Sequence, residues 1–225
     1  MTKRFFSLLL SMAILFTVTR PAFAAGLDSD LQEETVSLGN ESVVVHYQVN
    51  GKISYIEVGS DIIEVRGNEV YLNGELIATI TSTVISGDPS VIEPYTGWLY
   101  TDECSFGTPS DYTRYIKTVE HNITFEEAIE ELSGDIILTI LVSAVNSFAT
   151  DPTGASLGFD ILAGVAEDIY NWAHDYPQRT KIYALEYIYG HKNGMGYIHK
   201  NEYIYYGDRA YTQEISSETM FSFWS

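Results

Sequence analysis

Residues 43–85 alternate hydrophobic with polar side chains, and this period of two constrains the fold more than any other feature of the sequence. Asn50-Gly51 and Asn73-Gly74 interrupt the alternation, and both pairs tolerate the positive φ angles that a two-residue hairpin turn requires. The predicted strands cover residues 43–49, 52–58, 61–66, 69–72 and 75–85. Residues 43–88 are therefore predicted to form an antiparallel β-meander.

A helical period replaces the period of two in the middle of the chain. Thr124-Phe125-Glu126-Glu127 has the form of a capping box, which predicts that a helix starts there. A second helix is predicted from about Gly154 to Ala173, where small residues such as Gly164 would let two helix backbones approach closely. The two segments predict a helical hairpin over about residues 124–174.

Tyrosine is concentrated towards the C-terminus. Residues 181–189 and 197–206 are predicted strands around a glycine-rich turn, which gives a tyrosine-rich C-terminal β-hairpin over about residues 181–206. Residues 25–42 are acidic with little periodicity and are predicted to be a flexible lead-in, and residues 90–122 read as irregular. The fold class expected is α+β, with the meander followed by an α+β region over residues 89–225.

The first 24 residues have the features of a cleavable secretory signal peptide. Lys3 and Arg4 precede an apolar run over residues 5–18, and Ala22-Phe23-Ala24 offers a small-x-small cleavage site. The apolar run is shorter than the roughly 20 residues that a membrane-spanning helix needs. We therefore expect cleavage after Ala24 and a secreted, extracellular mature protein.

The charge of the chain restricts its partners. The formal charge is −19, and loss of residues 1–24 removes three cations and no acids, which leaves −22. Binding to nucleic acid requires Lys and Arg, as does capture by anionic lipid, so both are disfavoured. Membrane insertion is not expected either, because acids such as Asp135 and Asp160 interrupt both predicted helices. Envelope glycans and secreted or surface proteins remain as expected partners, and the oligomeric state is open.

Cys104 is the only cysteine, so the chain has no internal disulfide. A free thiol, an intermolecular link and a buried small hydrophobe all remain open for it. Asp102 and Glu103 disfavour the thiolate that a nucleophile needs, which argues against a catalytic pair of Cys104 with His121.

The tyrosines of the C-terminal hairpin form two rows, because alternate residues of a strand share a face. Tyr183, Tyr187 and Tyr189 make one row, and Tyr197, Tyr203 and Tyr205 make the other. An exposed row would be a binding platform for sugar rings or a protein partner, whereas a buried row would be ordinary sheet packing. We take these six residues as the candidate binding site.

Metal binding is a weaker candidate. His191 and His199 would lie opposite each other across a three-residue turn, but a structural zinc site needs four ligands. Asp28-Ser29-Asp30 resembles the start of a calcium loop without the remaining ligands. The sequence predicts no dedicated cofactor, and weak calcium or zinc binding stays open.

The sequence contains no G-x-S-x-G, H-E-x-x-H or P-loop motif, which lowers the expectation of an enzyme and predicts no catalytic residue. The leading hypothesis is an exported, acidic, non-enzymatic binding protein acting at or near a bacterial cell surface. An exported bacteriocin-type toxin acting through the helical hairpin is the first alternative. A secreted hydrolase with paired carboxylates is the second.

Overall fold

The structure is a computed structural model that describes residues 31–38, 41–47, 53–87, 98–101, 103–104, 106–148, 155–194 and 198–224. The chain divides into Met1–Leu31 and a compact unit, Gln32–Ser225, and the fold is that of the second unit. The predicted signal peptide lies outside the described residues.

Eleven strands of the described residues form one antiparallel sheet. They are β1 (Gln32–Leu38), β2 (Glu41–Tyr47), β3 (Ile53–Val58), β4 (Asp61–Arg66), β5 (Glu69–Leu72), β6 (Glu75–Gly87), β7 (Trp98–Thr101), β8 (Arg114–Phe125), β9 (Lys181–Gly190), β10 (Ile198–Tyr206) and β11 (Glu214–Trp224). Neighbouring strands follow chain order except β7, which pairs with β11 at the far edge. The protein is therefore of the α+β class, and the sheet dominates it.

Two helices pack on one face of this sheet. They are α1 (Gly134–Phe148) and α2 (Ala155–Asp175). Helix α2 contacts β1 and also β7 and β11, which stand at opposite ends of the strand order. A flat sheet of this size would hold its edges roughly 48 Å apart at a spacing of ~4.8 Å per strand. Because one helix touches both ends, the sheet curls around the helices.

The concave side of the sheet carries the main core. We call it the inner face and define it by the alternate strand residues that cluster with the helices: Ala78, Ile80, Ile123, Phe125, Ile182 and Ala184. The apolar stripe of α1 is buried against them, and Ile137 and Ile140 are fully inaccessible to solvent. The opposite side of the sheet is the outer face. The hydrophobic side chains of the helices are thus buried in the core between the helices and the sheet.

The register in the meander follows from the alternation of the sequence. Val43 pairs with Val58 and Val45 with Ile56, and all four side chains are buried. The turn residues Asn50-Gly51 lie outside the described residues. Asn73 and Gly74 do adopt positive φ angles, of 51° and 89°, as a tight turn between β5 and β6 requires.

Two segments that were predicted to lack regular structure contain strands. Residues 32–38 of the predicted flexible lead-in form β1, where Val36 pairs with Val43 in the core. Residues 114–125 form β8, a central strand between β6 and β9. Strand β8 is stabilised by pairing with the distant strands β6 and β9, which local sequence does not reveal. Strand β1 pairs with the adjacent β2 and also contacts helix α2.

The predicted start of the first helix is also corrected. Thr124 and Phe125 end β8, and the backbone N–H of Phe125 donates to the Thr180 carbonyl instead of capping a helix. Helix α1 begins at Gly134, and the Ser133 hydroxyl accepts from the backbone N–H of Ile136 at 3.3 Å. The capping pattern at Thr124 therefore occurs in a strand that tertiary pairing holds extended.

Candidate functional site

The first tyrosine row lies half-buried on the outer face of the sheet. Strand β9 places Tyr183, Tyr187 and Tyr189 on this face, because their register partners on β8 and β10 also point outward. Tyr115 on β8 stands directly opposite Tyr189, and it is 38% exposed. These four residues, their neighbour Tyr211 and the buried Tyr206 beneath form a cluster that we call the tyrosine face.

Ring contacts connect the tyrosine face. The rings of Tyr115 and Tyr189 meet edge to face with centroids 6.2 Å apart, and the Lys200 ammonium lies 4.8 Å from the Tyr189 centroid. The rings of Tyr206 and Tyr211 meet in the same way at 5.3 Å. The hydroxyls of Tyr115 and Thr118 are hydrogen bonded at 2.9 Å. Contacts within the protein thus hold the rings of Tyr115, Tyr189, Tyr206 and Tyr211.

The surroundings of Tyr189 and Tyr211 raise the pKa of their hydroxyls. Partial burial, followed by the charges of Glu202 and neighbouring phenols, raises the pKa of Tyr189. Partial burial and a hydrogen bond to Glu120 raise the pKa of Tyr211 to about 12. These two hydroxyls can therefore both donate and accept a hydrogen bond at neutral pH.

The second tyrosine row is placed elsewhere. Tyr203 and Tyr205 lie on the inner face and are 1% and 2% exposed. Burial, then the charge of Glu186, raises the pKa of Tyr205. Tyr197 lies outside the described residues. Of the six candidate tyrosines, the structure thus places Tyr183, Tyr187 and Tyr189 at the surface.

A chain of polar side chains crosses the inner face beyond the apolar core. His121 Nδ1 lies 3.0 Å from Ser82 Oγ, and His121 Nε2 lies 3.1 Å from Glu186 Oε2. The Tyr203 hydroxyl donates to Glu186 Oε1 at 2.6 Å. His121, Glu186 and Tyr203 are buried, while Ser82 is exposed. The antiparallel register brings them together, because His121 stands opposite Ser82 and Tyr203 opposite Glu186.

Sequence reasoning missed this polar chain, although the sequence carries a signal for it. His121 and Glu186 interrupt the hydrophobic alternation between buried apolar residues, and Ser82 follows the buried Ile80 on the same face of β6. The three residues lie on three different strands, β6, β8 and β9, and the register between these strands brings them together. The spacing of residues in the sequence does not reveal that register.

The candidate metal ligands are both buried. His199 stands opposite Gly190, and burial, with smaller effects from Lys117 and Arg114, lowers the pKa of His199 to about 4. His191 Nδ1 accepts from the backbone N–H of Asn193 at 3.2 Å. Within the described part of the chain, no group of three or more metal-binding side chains comes together. Asp28-Ser29-Asp30 lies outside that part.

Cys104 is a free cysteine of intermediate exposure. Its Sγ donates to the Phe106 carbonyl at 3.3 Å, and that carbonyl also accepts from the Tyr112 hydroxyl at 3.0 Å. The structure thus gives the thiol a local hydrogen-bonding role in the loop before β8.

Comparison with protein-family models, with curated proteins and with solved structures returned no match. Among the described helices, neither α1 nor α2 combines the length and apolar character needed to cross a membrane. The function is therefore argued from the sites themselves.

Proposed function

We propose that this protein is an exported binding protein that holds a glycan of the bacterial cell envelope on its tyrosine face. The observation that supports the proposal is the half-exposed row of Tyr183, Tyr187 and Tyr189 on one strand, joined by Tyr115 from the next. Residues two apart on a strand repeat at about 7 Å. Such a row suits a polymer better than a small molecule.

The chemistry of the tyrosine face fits sugars. Aromatic faces pack against the C–H side of a sugar ring, and neutral phenols hydrogen bond to its hydroxyls. Glu120, Glu202 and Lys200 stand among the tyrosines as further partners for hydroxyls. The high negative charge repels anionic polymers, so a neutral or cationic glycan is the class that fits best.

The decisive experiment is sedimentation of the purified mature chain with insoluble envelope polysaccharide. We expect the wild type to sediment and the Tyr187→Ala/Tyr189→Ala double variant to remain in solution, with binding at least about tenfold weaker because each stacking aromatic contributes ~1 kcal/mol or more. Tyr71→Ala is the matched control, since Tyr71 is a half-buried tyrosine of β5, outside the tyrosine face. Equal sedimentation of all three proteins would contradict the proposal.

A secreted or surface protein is the other partner that the same face could take. Capture of one defined protein from culture medium by the wild type but not by the double variant, without sedimentation on polysaccharide, would replace the glycan by a protein.

Export is part of the proposal and rests on residues 1–24. The expected observation is a protein in the culture medium whose intact mass corresponds to a chain beginning at Ala25. Retention of the full-length chain inside the cell would contradict it.

A further inference from the structure

Ser82 occupies an unusual position, because it is an exposed serine in front of a buried histidine and a buried carboxylate. His121 Nδ1 faces Ser82 Oγ at 3.0 Å, and His121 Nε2 faces Glu186 Oε2 at 3.1 Å. His121 is 3% exposed and Glu186 is also 3% exposed. We assign the tautomer in which Nε2 donates to Glu186, which leaves the lone pair of Nδ1 directed at the serine hydroxyl.

The carboxylate is itself held in place. The Tyr203 hydroxyl donates to the second oxygen of Glu186 at 2.6 Å, and the rings of His121 and Tyr203 stack with centroids 6.2 Å apart. Tyr203 and Glu186 are register partners on β10 and β9, and His121 belongs to β8. The base and its orienting acid thus sit on rigid central strands, which is the arrangement a preorganised catalytic group requires.

Within the part of the chain that the structure describes, the strand that carries Ser82 also has an open edge. Strand β5 pairs with β6 only as far as Thr79, and Thr81 to Gly87 are exposed. The Ile80 N–H donates to the Asn68 carbonyl on the β5 side. Because N–H groups alternate in direction along a strand, those of Ser82 and Val84 point to the same side, where no described strand pairs with them.

We propose that Ser82 is a catalytic nucleophile, activated by His121 and oriented through Glu186, that hydrolyses carboxylic esters docked along the open edge of β6. The backbone N–H of Ser82 is available at this edge to stabilise the oxyanion. Val84, on the same face and 59% exposed, offers an apolar surface to the acyl group. This activity is independent of the tyrosine face.

The reaction conserves atoms and charge with water as the only co-reactant. Ser82 Oγ adds to the ester carbonyl carbon as its proton moves to His121 Nδ1, and the bond to the leaving oxygen breaks as that oxygen takes the proton. Water then adds to the acyl carbon and gives a proton to His121. The bond from carbon to Ser82 Oγ breaks, Oγ regains the proton, and the carboxylic acid leaves.

The test is covalent labelling of the full mature chain with a fluorophosphonate probe, followed by peptide mass mapping. We expect the label on Ser82, with no label in Ser82→Ala and unchanged labelling in Ser217→Ala, which removes an exposed serine of β11. Turnover of p-nitrophenyl acetate should follow the same pattern. Absence of label on Ser82 between pH 6 and 9, when a known serine esterase is labelled in parallel, would overturn the proposal.

The roles of His121 and Tyr203 are tested by the rate and the pH profile of labelling, which would stay unchanged if these residues only supported the fold. His121→Ala should slow the labelling of Ser82 by about 10²–10⁴-fold. Tyr203→Phe keeps the packing and removes the hydrogen bond to Glu186, so the pH profile of labelling should shift while the circular dichroism spectrum stays unchanged. If Tyr203→Phe and a folded His121→Ala both label at the wild-type rate with the wild-type pH profile, the assignment is wrong.

Discussion

Gly207 and Gly164 differ in the space that is available for an added side chain. At Gly207 an added methyl group would come within 2.8 Å of Trp172 Cε2, and Trp172 is 8% exposed. At Gly164, inside α2, an added methyl group would meet nothing within 4 Å. The sequence predicted Gly164 at a close helix contact, and the structure places it in open space instead.

These two glycines give a matched prediction. Gly207→Ala should lower the free energy of unfolding by about 1–3 kcal/mol through overpacking against Trp172. Gly164→Ala should raise it by about 0.5–1 kcal/mol, since alanine is the better helix former and loses less entropy. Urea unfolding of both variants measures the difference. Equal effects at the two sites would contradict the packing at Gly207.

The carboxyl group of Asp111 should make the stability of the folded protein depend on pH. Hydrogen bonds from the Lys192 ammonium and from the backbone N–H of Thr108 lower the pKa of Asp111 to about 2 from an ordinary 3.8. A carboxyl with a lowered pKa stabilises the folded state above its unfolded pKa, and this stabilisation disappears as the pH falls through the folded pKa. The Tm difference between wild type and Asp111→Asn should therefore shrink between about pH 4 and pH 2.

Glu127→Gln is the control for this measurement, because Glu127 is an exposed carboxylate. A Tm difference for Asp111→Asn that stays constant from pH 7 down to pH 2 would show that Asp111 and Lys192 are not paired.

Helix α1 has buried side chains throughout residues 137–145. Ile140 lies in the middle of this helix and is inaccessible to solvent. Ile140→Ala should lower the free energy of unfolding by about 2–5 kcal/mol. Ile85→Ala makes the same change on β6, at a residue that is 50% exposed, and should cost less than about 1 kcal/mol. Similar costs in thermal or urea unfolding would mean that α1 is not packed against the sheet.

At the scale of the whole molecule, the excess of acids destabilises the compact state. Thirty-one acids against twelve Lys and Arg give a formal charge of −19, and like charges on one surface repel. Sodium chloride screens this repulsion, so the Tm should rise between 10 mM and 0.5 M salt. Addition of calcium at fixed ionic strength should produce no further rise. A rise that requires calcium would indicate a bound ion instead of screening.

Several elements could be predicted because their signal is local. The alternation in β2 and β3, the turn at Asn73-Gly74 and the small, apolar residues of α2 each determine structure through near neighbours. In contrast, β8 has no comparable local signal, and it is a strand because the distant strands β6 and β9 pair with it. Strand β1 pairs with the adjacent β2, and its contact with α2 is the tertiary part of its environment. The capping pattern at Thr124 does not start a helix, because strand pairing holds this residue extended at the end of β8.

The candidate sites also differ in whether a local signal or the pairing of distant strands brings their residues together. Strand parity placed Tyr183, Tyr187 and Tyr189 together, since a period of two suffices for that. The α+β class, the acidic charge and the tyrosine row thus follow from the amino-acid sequence alone. Which row is buried, and the meeting of Ser82, His121 and Glu186, depend on the register between strands far apart in the chain, and that register is a property of the folded protein.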